Sequence, residues 1–472
     1  MNERPASDRA DQPLRSAVVL GGSHAGMLAA RALAGFVDKV TVVERDALPD
    51  GPGPRRNLPQ ARHAHMLWSG GVRALEDLVP GAAERLSAAG AHRQAVTTDM
   101  VILSPQGWFR RWPVSHRNLL CSRDLLDATV RAAVLDDARV ELVERTEVLG
   151  LVGTGAAVTG VRVRHDDGTE RVLDAGLVVD ATGRSSRAPG WLAALGLPEP
   201  RRRVVDSGLA YASRVYRAPE GARRGYPVVS VTADTRQEGP GRSAFLLPIE
   251  DGKWIVTLSG TRGGEPSPHN DDFVRFAREE LRHPAVGELL THAEPLGDVV
   301  FTRSTANRRY FYERMPRWPE NFTVVGDALA VYNPVYGHGM TIAAQSAVVL
   351  REVIRRRGWG APGLARRVQK ALARPVGTAW DLATGQDVFY EGATESGPTL
   401  RDRVVAAYVN RVLLTATGNG RIARRLTDVT SLERGPEVLL TPGVLLAAAF
   451  GPLKPPLEGA PLTAEERKAA GL

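Results

Sequence analysis

The chain contains one cysteine, Cys121, which excludes an internal disulfide and suits a reducing compartment. Lysine is almost missing: only Lys39, Lys253, Lys370, Lys454 and Lys468 occur, so the net charge of +8 rests on arginine. Those arginines are scattered, with no basic stripe interleaved with aromatics and no nucleic-acid motif, which argues against a nucleic-acid partner. The positive excess helps to draw in an anionic cofactor or substrate. No stretch reaches the ~18 consecutive apolar residues of a spanning helix. Residues 1–14 are polar, lack an apolar signal core and read as a disordered lead-in. The expectation is a cytoplasmic protein without stable membrane insertion. The most apolar segment, "VLLAAAFGPL" (444–453), is short and bounded by Pro and Gly, and reads as a buried terminal helix.

What is present is ordinary for a globular protein, with 43% hydrophobic and 24% charged residues, and 472 residues are too many for one simple core. Near the start, "AVVLGGSHAGMLAARAL" (17–33) runs from an apolar strand through a small-residue turn into a helical pattern. This is the start of a dinucleotide-binding βαβ unit, whose loop is usually G-x-G-x-x-G. Gly21 and Gly26 hold the outer positions, while Ser23 replaces the central glycine. Its hydroxyl remains able to donate to a phosphate. Gly22 and Ala25 complete the loop, and the helix N-terminus offers free N–H groups. The next strand, "KVTVVERD", ends at Glu44, placed to accept from an adenosine ribose, with Arg45 beside it.

Downstream, six Pro and Gly residues make 47–65 a long loop carrying Arg55, Arg56 and Arg62. "MLWSGGVRALEDLVP" reads as a helix, and a short β region follows over 100–114. A helix capped by Ser122 begins near Arg123. "AVTGVRVRHDDGTERVLDA" and "FLLPIEDGKWIVTLSG" read as hairpins. Helices are expected over about 271–292, a strand near 299–305, and mostly helix from Gly339 onward.

Three stretches bear on the cofactor. "LVVDATGRSSR" (177–187) is a buried strand ending in Asp180, which either caps the following turn or faces the cofactor. "FTVVGDALAVYNPVYGHGMTIAAQSAVVL" (322–350) is a strand ending in Gly326 and Asp327, then a loop with Pro334, Gly337 and Gly339, then a helix near Met340. Asp327 is placed to accept from ribityl hydroxyls, and the glycines let N–H groups approach a pyrophosphate or a flavin edge. In "CSRDLLDATV", Arg123 opens a helix within reach of a phosphate.

This order of motifs resembles the single-component FAD-dependent monooxygenases of the aromatic-hydroxylase fold. Within that group, "LPQARHAHMLWSGG", "SGTRGGEP" and "NPVYGHGM" look closest to the polyether-antibiotic epoxidases of the monensin and lasalocid type, over residues 16 to about 390. The resemblance implies an α/β fold. A Rossmann-like FAD-binding domain (15–80, 115–187, 303–355) carries an inserted β-sheet substrate domain (81–114, 188–302), followed by a helical C-terminal region (356–472). It implies that Gly21, Gly22, Ser23, Ala25 and Gly26 cradle the pyrophosphate, that Glu44 takes the adenosine ribose, and that Arg45 belongs to the cofactor site. Arg55, with Arg56, reads either as a contact to the cofactor or a nicotinamide phosphate or as a solvated charge pair. Arg123, Asp180, Gly326 and Asp327 would hold the ribityl and phosphate parts, and Pro334, Gly337, Gly339 and Met340 would lie beside the isoalloxazine.

The implied reaction is epoxidation of a linear, lipophilic polyene polyketide with O2. A flavin hydroperoxide carries the chemistry, so no catalytic side chain is required. Electrons come from NADPH or NADH, directly or through a flavin reductase. An aromatic hydroxylase and a non-catalytic flavoprotein are the alternatives. Halogenation is disfavoured, because no lysine lies between Lys39 and Lys253 and the nearest tryptophan-rich element is "WFRRWP". His63 and His65 look like a metal pair but lack further ligands, so no metal is expected and a loop or cofactor contact reads better. Cys121 reads as a buried thiol rather than a flavin attachment point. Trp254 and His338 are candidates for the substrate wall, with core packing the other reading for Trp254.

Overall fold

The computed structural model describes residues 15–472; the disordered lead-in expected over 1–14 lies outside the described residues. At the centre is a five-stranded parallel sheet in the order Phe322–Val324, Leu177–Asp180, Ser16–Leu20, Lys39–Val43, Val140–Val143. Its central strands are Val-rich and buried on both faces, as a parallel sheet covered by helices requires. Helix His24–Leu33 packs against Gly339–Arg357 and Arg123–Leu135, so the first glycine turn, the Pro334–Met340 stretch and the Arg123 helix meet in space. The Ser122 hydroxyl caps its helix as expected, accepting from the Leu125 N–H at 3.1 Å. A three-stranded antiparallel meander, Thr146–Gly153, Val158–His165 and Glu170–Asp174, includes the hairpin expected around Asp167-Gly168.

The second body is a seven-stranded sheet. Its order is Glu294–Thr302, Ala210–Arg217, Lys253–Gly260, Arg242–Ile249, Val228–Val231, Met100–Ser104, Gly107–Trp108. Side chains alternate along Lys253–Gly260. Trp254, Val256 and Leu258 enter one core with Tyr216, Phe273 and Phe276, while Ile255 and Thr257 face the opposite way, towards Ala64 and Phe245. One face of the sheet is thus sealed by the helical segment 270–290, and the other closes over the parallel-sheet body.

The packing departs from the expected boundaries. Ala82, Ala83, Leu86 and Ala91 pack into the core of the parallel-sheet body, because strand His92–Ala95 pairs with Arg117–Leu120 there. The C-terminal region is not one unit. Helix Leu364–Asp387 joins the first core, helices Leu400–Gly418 and Gly420–Thr430 form a third cluster, and helix Ala464–Ala470 returns to the seven-stranded sheet. The segment read as a buried terminal helix is mostly exposed. In Pro442–Phe450 only Val444 and Ala448 are buried, while Leu446 and Phe450 are 62% and 80% exposed. The helix is apolar all round, yet one stripe alone finds a neighbour. No described helix is long and apolar enough to cross a membrane.

Candidate active site

A cavity of about 680 Å³ runs between the two bodies. Of the expected residues, Gly21, Ser23, Ala25, Glu44, Arg45, Arg55, Arg123, Asp327, Pro334, Gly337, Gly339 and Met340 line it. The turn after the first strand needs its glycines for two different reasons. Gly21 has φ +99°, and a Cβ there would stand 2.7 Å from the Ala181 carbonyl oxygen. A Cβ on Gly26 would collide with the Gly21 carbonyl oxygen, so Gly26 allows the helix to begin directly on the loop. Ser23, the departure from the usual pattern, makes no cap hydrogen bond. Its hydroxyl accepts from Arg123 Nη2 at 3.3 Å and keeps its own proton to donate. Gly22, whose N–H donates to Glu44 Oε2 at 2.8 Å, supports the loop from behind the lining.

Glu44 also accepts from the Asp46 N–H at 3.0 Å and from Arg55 Nη2 at 2.9 Å. Arg55 is well buried, with a 7% exposed side chain, yet its Nε and Nη1 have no partner. A buried guanidinium with two idle donors on a cavity wall is costly to leave so, and matches an anionic or hydroxyl-rich ligand. Arg56 is exposed and takes no part. Arg123 is held by its own helix, Nε donating to Asp127 Oδ1 at 2.8 Å. Asp327 sits deep in the protein but open to the cavity, 3.9 Å from Arg184. Burial pushes its carboxyl above the usual range, against the pull of Arg184 and Arg123. Gly326 lies behind it, where a Cβ would stand 2.8 Å from Ala25 Cβ, so it lets this strand end approach the glycine turn closely.

The loop Asn333–Gly337 is fixed by a buried polar network. Asp387, 2% exposed, accepts from Asn307 Nδ2 at 2.7 Å, Asn333 Nδ2 at 2.8 Å and the Tyr336 hydroxyl at 2.8 Å. The Asn333 N–H donates to Asn307 Oδ1, and Asn333 Oδ1 accepts from the Val335 N–H and the Tyr211 hydroxyl. Every amide and hydroxyl here has a partner, which fixes one loop conformation. Burial raises the Asp387 carboxyl, and its three donors pull it back down.

Besides Gly22, Gly26 and Gly326, three more expected residues do not line the cavity. Asp180 is fully buried and spends its carboxylate on its own turn, accepting from the Thr182 N–H and hydroxyl and the Ser186 hydroxyl. It caps the turn and does not line the cavity. Trp254 points into the far core, 5.0 Å from the Tyr226 ring. His338 lies behind the lining. Its Nε2 meets the Thr430 carbonyl oxygen at 3.0 Å, tying the loop to the C-terminal helices, and burial lowers its pKa to about 4. Cys121 is buried, and burial with the Glu250 and Asp127 charges holds its thiol protonated.

The structure adds residues that the motifs did not single out. Arg184 and Arg187 line the cavity, Arg184 pairing with the Ser304 carbonyl and hydroxyl oxygens. Val228, Phe245 and Leu247 of the seven-stranded sheet form an apolar wall with Met66. Arg184 follows directly on the quoted "DATG" stretch and was legible from it; the sheet residues carried no local signal. His24, His63 and His65 also line the cavity, with pKa values lowered to about 4, 4 and 3, chiefly by burial and, for His24 and His65, also by Arg123. All three are neutral at pH 7. Among the described residues no group of three or more His, Cys, Asp or Glu is placed to hold a metal.

Neither ring nitrogen of His24 has a hydrogen-bond partner of good geometry, and burial outweighs the opposing pull of Asp127 and the Met340 backbone, so its pKa tests linkage. Its unfolded pKa near 6.5 exceeds the folded value, so the unfolded chain takes up the proton first and stability is lost as pH falls from 6.5 towards 4. Between pH 7 and 5, wild type is expected to lose ~2 kcal/mol more stability than His24→Met. Denaturant melts across that range check this; equal losses in the two proteins would refute it.

No protein-family model matches the chain. It is 32% identical over 397 residues to Protein Rv3254 of Mycobacterium tuberculosis, covering 82% of this chain and 83% of that protein. It is 28% identical over 414 residues to a kynurenine 3-monooxygenase of Salinispora tropica, covering 82% and 80%. Among solved structures, the flavin-dependent brominase Bmp2 superposes with a TM-score of 0.61 at 18% identity, over 83% of this chain and 92% of that one. PqsL, a probable FAD-dependent monooxygenase from Pseudomonas aeruginosa, gives 0.59 at 17%, over 80% and 97%. The architecture is therefore the one shared by flavin-dependent monooxygenases and halogenases. Within it, the chain belongs to the same family as Protein Rv3254.

Proposed function

We propose that this chain is an FAD-dependent monooxygenase acting on an apolar small molecule, placing one oxygen atom of O2 on a carbon–carbon double bond of a linear polyene polyketide. One observation carries the reading. A single cavity is lined by the glycine turn, by Asp327 and the Pro334–Met340 loop, and by the apolar wall of Val228, Phe245 and Leu247. Dinucleotide chemistry and a lipophilic surface therefore share one enclosure.

The residues fit FAD. The idle donors of Arg55 and the open helix N-terminus after Ser23 suit its phosphates and ribose, and Asp327 suits ribityl hydroxyls. Pro334, Gly337, Gly339 and Met340 would hold the ring. When bound, FAD supplies the electron transfer and the activation of O2. The protein binds and orients both partners, and its apolar wall keeps water from the reacting carbon. The balance is alkene plus O2, NAD(P)H and a proton giving epoxide, NAD(P)+ and water. Alkene oxygenation needs no base at the substrate, and the three cavity histidines are neutral.

Hydroxylation of an aromatic compound is the second reading, favoured by the likeness to a kynurenine 3-monooxygenase. Halogenation is disfavoured, since no lysine lines the cavity.

The test incubates purified protein with FAD, NADPH, oxygen-18 gas and a linear polyene ester, with and without a flavin reductase. The expected result is labelled oxygen in the product with oxirane protons in place of vinyl protons. Peroxide release without labelled product refutes the polyene substrate and turns the test to aromatic compounds. Reductant use that ignores every substrate refutes the monooxygenase.

A further inference from the structure

We infer that His63 is a substrate-recognition residue that donates a hydrogen bond to an acceptor oxygen, a carbonyl in the first instance, on an otherwise apolar substrate. This rests on the monooxygenase reading above and deepens it by naming a functional group of the substrate.

His63 is 5% exposed and lines the cavity. Its Nδ1 lies 2.8 Å from Ser213 Oγ, and its Nε2 is buried with no partner. Ser213 and Thr257 are directly opposed on neighbouring strands, with their hydroxyl oxygens 2.6 Å apart. The Ala64 N–H donates to Thr257 Oγ1 at 2.9 Å. A backbone N–H can only donate, so one end of this chain is fixed. If Thr257 donates to Ser213 and Ser213 to His63 Nδ1, every hydroxyl proton is used, and the neutral ring carries its own proton on Nε2. The opposite direction leaves the Thr257 proton without an acceptor and Nε2 as an empty acceptor, two deficits in place of one. Buried polar groups are nearly always satisfied, which selects the first arrangement. His63 then carries one neutral, unpartnered N–H on a ring that lines the cavity together with Val228, Phe245 and Leu247. The low pKa of the ring fits this state. A site built to donate one hydrogen bond within apolar surroundings discriminates strongly against a ligand lacking the acceptor.

The experiment uses the full-length, flavin-loaded protein and two probes with the same bicyclic body, α-tetralone and tetralin, which differ in one carbonyl. Binding is read by tryptophan fluorescence and, separately, by perturbation of the flavin absorbance. Wild type is expected to bind α-tetralone about tenfold more tightly than tetralin. His63→Phe is expected to lose that preference while keeping its affinity for tetralin, and His63→Gln, which still presents an N–H, to keep part of it. A thermal melt of each variant reports its folding. Equal affinities in wild type, no binding of α-tetralone, or a preference that survives His63→Phe overturns the inference. So does a changed flavin spectrum in His63→Phe without probe, which would place the ring against the flavin. Failure of the monooxygenase reading is seen separately, as protein that retains no flavin or does not oxidise NADPH, while the fluorescence contrast still reports on His63.

Discussion

Asp387→Ala is expected to cost on the order of 4 kcal/mol of stability and to release the cofactor. The substitution removes an acceptor that serves three buried donors, the amides of Asn307 and Asn333 and the hydroxyl of Tyr336. A buried donor left unpaired costs about 1–3 kcal/mol, and water entering the new space recovers part of that. The loss falls on the loop that carries Pro334 and Gly337, so cofactor affinity should suffer with the fold. Asp387→Asn separates hydrogen bonding from charge. Its carbonyl oxygen can accept from both asparagine amides, and its NH2 can donate to the Tyr336 oxygen. The Tyr336 O–H then loses its acceptor, so that variant is expected to cost about 1–3 kcal/mol, less than Asp387→Ala, and to retain flavin. Denaturant melts and the visible absorbance of the purified proteins check both. An Asp387→Ala protein as stable and as yellow as wild type would show that the network holds nothing in place.

Gly26→Ala is expected to give a destabilised protein that purifies without flavin. The added methyl meets a backbone carbonyl, that of Gly21, rather than a flexible side-chain end. Either the helix retreats from the strand or the turn opens. Overpacking of this kind typically costs about 1–3 kcal/mol, and either movement displaces the helix N-terminus from the loop it completes. The same substitution at Gly190, in helix Ala188–Ala194, supplies the control. There a Cβ meets nothing within 4 Å, so Ala should be neutral or stabilising by up to about 1 kcal/mol. Opposite outcomes from one chemical change would isolate the steric cause. Retention of flavin by Gly26→Ala would sink the assignment of this turn.

Two local signals carried most of the fold. Strand–turn–helix patterns with small residues mark the parallel sheet and its loops, since the constraints act within a few residues: a positive φ at Gly21, a helix N-cap at Ser23, a strand ending just before Glu44. The hairpin turns were legible for the same reason. The boundaries around residues 81–95 were not, because the pairing of His92–Ala95 with Arg117–Leu120 is decided by what lies across the chain rather than along it.

The site divides in the same way. By itself the sequence determined that Gly21, Glu44, Arg123 and Asp327 stand at element ends, where backbone groups are open and a dinucleotide-like ligand can be held. Only the tertiary structure decided which face of Lys253–Gly260 meets the cavity, placing Thr257 there and Trp254 in the far core. A strand's period of two supplies two faces and no label for either. It also decided that Asp180 spends its carboxylate on its own turn, that His63 meets Ser213 from 150 positions away, and that Asp387 anchors a loop 54 positions before it. Local sequence sets backbone conformation through short-range sterics. Which buried polar groups satisfy one another is settled only when distant segments pack.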